Sequence, residues 1–102
     1  MNIHEFIKVV KDDKNIELVD IREADEIAEY SSNLNAQSIP MGALLRQGVS
    51  GSLSKDRPII VFCRSGYRAK IVARELTVLG YNIEPVEGGL VALEEIYKNK
   101  SI

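Results

Sequence analysis

Cys63, the only cysteine of the chain, closes the apolar run Ile59-Ile60-Val61-Phe62 and is followed by Arg64-Ser65-Gly66-Tyr67-Arg68. Ala69, Ile71, Val72, Ala73 and Leu76 then recur at helical spacing, which puts the cysteine at a hinge between a strand and a helix. At such a hinge backbone N–H groups and the positive end of the helix dipole converge, a setting that favours a thiolate and holds a small anion. Arg64 and Arg68 add fixed positive charge, and Gly66 lets the loop curl with its N–H groups inward. The set points to nucleophilic chemistry on an anionic substrate, with a sulfur atom or a phosphoryl group carried on Cys63. The plainer alternative is a structural cysteine at a strand end, since free cysteine is among the most buried residue types. The two arginines and the glycine weigh against it.

The elements that must position this loop alternate in type. Ile3, Phe6, Ile7 and Val10 predict a short amphipathic helix over 3–11, and 11–15 reads as a solvated turn. A strand over 17–21, a polar helix near 23–30, a loop over 31–35 and a brief strand at 37–39 follow. Met41 to Arg46 predicts another short helix, and the glycines and serines of 48–57 a surface loop. After the strand 59–62 comes a helix over 67–79 that stops at Gly80. A strand over 82–86 holds Pro85, which suits an edge position or a strand end, and Gly88-Gly89 opens a last helix over 90–98. Strands alternating with helices predict an α/β fold: a small parallel β-sheet flanked by helices on both faces, one domain over 1–102.

Composition narrows the field. With 102 residues and a net charge of -2, nothing calls for nucleic acid or a membrane as partner. No apolar run approaches the ~18 residues of a spanning helix, and Met1 to Phe6 lacks the pattern of a signal peptide. One cysteine and one histidine exclude an intrachain disulfide and leave too few ligands for a structural zinc site. The default address is the reducing cytoplasm, and no metal or organic cofactor is expected.

Three segments in order carry a family resemblance: Leu18-Val19-Asp20-Ile21-Arg22, the cysteine loop Phe62 to Arg68, and Glu87-Gly88-Gly89-Leu90. Together they resemble a single-domain rhodanese across nearly the whole chain. The resemblance implies a parallel α/β sheet with the active loop at the carboxyl ends of the strands. It also implies sulfane-sulfur transfer from thiosulfate or a similar small anionic donor, through a persulfide on Cys63, to a thiol, cyanide or a sulfur-acceptor protein. Arg64 and Arg68 would bind the anionic end of the donor, with Ser65, Gly66 and Tyr67 completing the cradle, although Tyr67 equally suits helix packing. Asp20 and Arg22 have the types of a catalytic acid and an anion clamp, but read rather as a buried or partly buried pair that holds the loop from behind, and Glu23 to Glu26 as a solvated helix start.

Two rivals remain. A rhodanese-like module could bind without catalysis, but such modules often lack the cysteine that stands here. Phosphatases and arsenate reductases of related fold resemble it less, because the phosphatase loop is Cys-x5-Arg. Here Arg68 falls at Cys-x4-Arg, with Ala69 in the place of that arginine. The segment Ser31-Ser32-Asn33-Leu34-Asn35-Ala36 also departs from the Gly-His-Ile-Pro-Gly-Ala common in rhodaneses. Gly88-Gly89 lacks the tryptophan that often follows, and the first helix leaves little room for an earlier edge strand.

Overall fold

Leu18, Ile60 and Phe62 alternate along their strands with Val19, Ile59 and Val61, so a sheet built from these segments must bury both of its faces. The computed structural model describes residues 1–13 and 15–100 and has that architecture. In chain order the elements are α1 (Ile3–Asp12), β1 (Glu17–Asp20), α2 (Ala24–Glu29), β2 (Gln37–Ser38), α3 (Met41–Ser50), β3 (Ile59–Phe62), α4 (Tyr67–Val78), β4 (Ile83–Pro85) and α5 (Gly89–Lys100). The four strands pair in parallel in the order β2-β1-β3-β4. Val19 lies beside Val61 and Asp20 beside Phe62 in the central register. Pro85 ends β4, an edge strand, where its missing N–H costs no ladder bond.

Each face has its own core. Val19, Ile59, Val61 and Cys63 pack with Leu44 of α3 and with Ala69, Val72, Ala73 and Leu76 of α4. On the opposite face Leu18, Ile60 and Phe62 pack with Phe6 of α1 and with Leu90 and Leu93 of α5. The Phe6 and Phe62 rings meet there at 6.2 Å, tilted by 51°. Leu34 and Ala36, from the segment that departs from the rhodanese pattern, settle against this second core, with Asn33 in a left-handed conformation at φ 58°. That segment therefore keeps an apolar anchor under the sheet.

Two segments differ from the sequence expectation. Lys14, in the turn read over 11–15, lies outside the described residues, and α1 extends through Asp12 into that turn. More substantially, the spacing predicts a helix ending at Arg46 and a loop from Gly48, whereas α3 continues to Ser50 and ends at Gly51, left-handed at φ 80°. The reason is a long-range contact: Gly48 is buried, and a Cβ at that position would overlap the Leu76 side chain. The glycine lets α3 and α4 approach closely, and Tyr81 caps the junction by donating its hydroxyl hydrogen to the Gly48 carbonyl at 2.8 Å.

Gly48→Ala should therefore destabilise the fold, although alanine is the better helix former. Helix propensity favours the change by about 1 kcal/mol, while overpacking against a buried leucine costs roughly 1–3 kcal/mol. A lower urea midpoint at unchanged slope is the expected result. An unchanged or higher midpoint would mean that the two helices have room to part.

Candidate functional site

The carboxyl ends of β1, β3 and β4 bring together the three segments that stand far apart in sequence. β3 runs directly into Cys63, which is 1% exposed. The Cys63 carbonyl accepts the Leu90 N–H and the Arg64 carbonyl accepts the Val91 N–H, both at 3.0 Å, so the first turn of α5 holds the loop by its backbone. This close approach explains the glycine pair. Gly89 sits at φ 55° with no room for a Cβ against the Cys63 and Arg64 carbonyls, and Gly66 sits at φ 94° with Gly88 N only 2.9 Å from where a Cβ would be.

With those carbonyls committed to α5, the loop's donors are free to turn toward the sulfur. Gly66 donates its N–H to Cys63 Sγ at 3.1 Å. Gly66 is also the N-cap of α4, whose first-turn N–H groups have no intrahelical acceptor and carry the positive end of the dipole. Beside the loop, Tyr67, Lys70, Pro85 and Val86 help to line a cavity of about 440 Å³. Tyr67 is 72% exposed there and so does not pack into the helix interface. Arg64 and Ser65 are exposed.

Asp20 and Arg22 are both buried and form a bidentate pair, with Nη2 to Oδ2 at 2.8 Å and Nε to Oδ1 at 3.1 Å. The remaining Nη1 of Arg22 donates to the Tyr30 carbonyl at 2.8 Å, where α2 ends. What this pair fixes is thus the position of α2. It reaches the cysteine loop through β1 itself, whose next residue, Ile21, donates its N–H to the Phe62 carbonyl at 3.1 Å.

Arg68 has a partner that nothing in its sequence neighbourhood singles out. Its two terminal nitrogens donate to Glu26 of α2 at 2.6 and 2.8 Å, a bidentate ion pair spanning 42 positions of chain. Glu26 also accepts the Glu23 N–H at 3.0 Å, closing a capping box at the start of α2. The side-chain bond from Arg68, aided by that backbone N–H, holds the Glu26 carboxyl at about 2 against an ordinary 4.5. The same bond raises the Arg68 guanidinium above its usual range. Glu23 and Glu26 look in sequence like acids placed to suit a helix dipole, and only the glutamate three residues past the cap hints at a second task. Among the described residues no group of three or more histidine, cysteine or acidic side chains is arranged to hold a metal ion.

Comparison with known proteins agrees with this geometry. A family model described as Rhodanese-like domain matches residues 3–95. A Bacillus subtilis protein named "Putative sulfurtransferase YtwF" is 32% identical over 96 residues, covering 90% of this chain and 86% of that protein. A rhodanese-related protein from Thermoplasma volcanium superposes with a TM-score of 0.76 at 29% identity, over 93% of this chain and 90% of its own. A Rhodopseudomonas palustris protein of unknown function, titled "Possible Tyrosine Phosphatase", gives a TM-score of 0.82 over 93% of this chain and 78% of its own. Its 20% identity makes that a likeness of fold alone.

The ion pair predicts a pH signature. Glu26 should titrate near pH 2 rather than 4.5, because a depressed carboxyl keeps its charge until the medium is strongly acidic. Its contribution to stability is then complete above about pH 4.5 and declines as pH falls toward 2. Carboxyl-carbon NMR titration reads the midpoint directly, and Arg68→Gln should return it toward the ordinary value. A native midpoint near 4.5 would mean that the pair does not form in solution.

Proposed function

The chain belongs to the rhodanese-like domain family, and from that premise we propose that it is a sulfurtransferase whose Cys63 carries the transferred sulfur as a persulfide. The observation that carries the proposal is the Gly66 N–H held 3.1 Å from Cys63 Sγ at the start of α4. That donor stabilises a thiolate before reaction and the charged terminal sulfur after it. The Cys63 thiolate attacks the outer sulfur of thiosulfate or a related donor. An S–S bond to Cys63 forms as the donor's S–S bond breaks, and with thiosulfate the electron pair departs on sulfite. A thiophilic acceptor, whether a thiol, cyanide or an acceptor protein, then removes the outer sulfur and returns the thiolate. These are two displacements, for which ping-pong kinetics are the signature. Arg64 is the exposed cation beside the nucleophile, and Ser65 and Tyr67 are further donors within the same loop. A cytoplasmic location belongs to the same proposal, since a single thiol suits a reducing compartment; no helix among the described residues is long and apolar enough to cross a membrane.

Two other readings each rest on one observation. The 1% exposure of Cys63 favours a binding module in which the loop is a docking surface. The cysteine loop at the head of α4, flanked by Arg64 and Arg68, favours phosphoryl transfer, since such a cradle can also hold a phosphoryl group on Cys63. Loop length weighs against the second: a loop of six positions from Cys63 to Arg68 is too tight to surround three equatorial phosphoryl oxygens.

One experiment separates them. Intact mass spectrometry after incubation with thiosulfate should show one added sulfur, about 32 Da, that is lost on addition of a thiol or cyanide. Cys63→Ser should abolish both changes, and p-nitrophenyl phosphate should be hydrolysed negligibly. Sulfur transfer surviving the substitution would refute the mechanism, because the chain has no second thiol. Failure of the native protein to gain sulfur from any sulfane donor would favour the binding module.

A further inference from the structure

Two of the cations around the cysteine loop are already paired with carboxylates. Arg22 is committed to Asp20 and to the Tyr30 carbonyl, and Arg68 is committed bidentately to Glu26. Arg64 has no ion pair among the described residues, but the cavity of about 370 Å³ that it helps to line also carries Glu26 and Glu29. On the other side of the loop, Lys70 shares the cavity of about 440 Å³ with Glu87. A thiosulfate dianion that releases a sulfite dianion needs uncompensated cations at this position, and here the unpaired Arg64 and Lys70 each stand beside a carboxylate while Arg68 is fully engaged. The second cavity points the same way. Its walls include Tyr67, Pro85 and Val86, carbon surface that a small inorganic anion leaves empty and an organic body fills.

We propose that Glu26 is a specificity-determining residue that holds Arg68 away from the donor and so selects an organic persulfide over thiosulfate. The proposal rests on the sulfurtransferase reading above and names its donor class. With a donor R–S–SH, the Cys63 thiolate attacks the outer sulfur, and the Cys63–sulfur bond forms as the R–S–S bond breaks. The electron pair leaves on R–S⁻, and the proton stays on the transferred sulfur. The leaving group carries one negative charge at its reacting atom, a smaller demand on the cations of the loop than a sulfite dianion makes, while R occupies the cavity beside Tyr67 and Lys70. The low titration point of Glu26 keeps the pair ionised throughout the neutral range, so the selection is constant and not a pH switch.

Rapid-quench mass spectrometry of Cys63 persulfidation, with cysteine persulfide and thiosulfate as probes, tests this. The native protein should react faster with cysteine persulfide. Glu26→Gln, which releases Arg68 without altering side-chain size, should raise the thiosulfate rate constant roughly tenfold and change the cysteine persulfide constant by less than about twofold. The gain should disappear in the double variant Glu26→Gln, Arg68→Gln, since it depends on the freed guanidinium. Equal loss with both donors would assign Glu26 a merely structural role and overturn the proposal. So would a native protein that uses thiosulfate as well as cysteine persulfide, a comparison that requires no variant to fold. If neither donor persulfidates the native protein, the sulfurtransferase reading itself fails, and an unchanged donor ratio overturns this inference alone.

Discussion

Two backbone hydrogen bonds, from Leu90 to the Cys63 carbonyl and from Val91 to the Arg64 carbonyl, decide where the sulfur sits. A loop between strand and helix has many conformations, and conformational entropy opposes fixing any one of them. Here the carbonyls are drawn to one side by the first turn of α5, and the Gly66 N–H faces Sγ from the other. The arrangement tolerates no Cβ at Gly89 and little at Gly66, which is why the downstream glycine pair belongs to the same device as the cysteine loop. The rest of the molecule keeps those two backbones in register. β3 and β4 pair in parallel, and α4 and α5 lie on opposite faces of the sheet.

Electrostatics adds a second layer that is indirect. The Asp20–Arg22 pair is nearly removed from solvent, and a buried pair of this kind contributes little net stability. Loss of one partner, however, leaves a bare charge in the interior, at a cost of about 3–5 kcal/mol. Its bond to the Tyr30 carbonyl ties the end of α2 to β1 and so presents Glu26 to Arg68. Three successive polar contacts thus run from the centre of the sheet to the start of α4, without any of the intermediate side chains touching the sulfur.

Much of this was legible in the sequence, for reasons that are local. A short continuous apolar run identified β3, and the switch to helical spacing after Cys63 located the junction. Gly80 marked the end of α4, and Pro85 marked the end of an edge strand. What escaped was non-local. Gly48 reads as a helix breaker until Leu76 is placed against it. Glu26 reads as a dipole-compensating acid until a residue 42 positions away arrives beside it. Arg68 reads in sequence as a cation with no visible competitor, because sequence offers charges without their distances and the carboxylate it meets lies 42 positions away.

The division of labour between α2 and α4 bears on how relatives of this chain can diverge. α4 buries Ala69, Val72, Ala73 and Leu76 in one core, so the helix that carries Arg68 and aims its dipole at Cys63 cannot shift without repacking that face. α2 buries none of its residues. Substitutions on such a surface turn usually change stability by no more than about 0.5 kcal/mol. Cys63 is therefore mounted on the part of the fold that resists mutation, while the acid that pairs with Arg68 rides on a part that mutation can explore cheaply. A lineage can retune what approaches the sulfur by trading side chains along one short exposed helix, leaving the scaffold beneath it untouched.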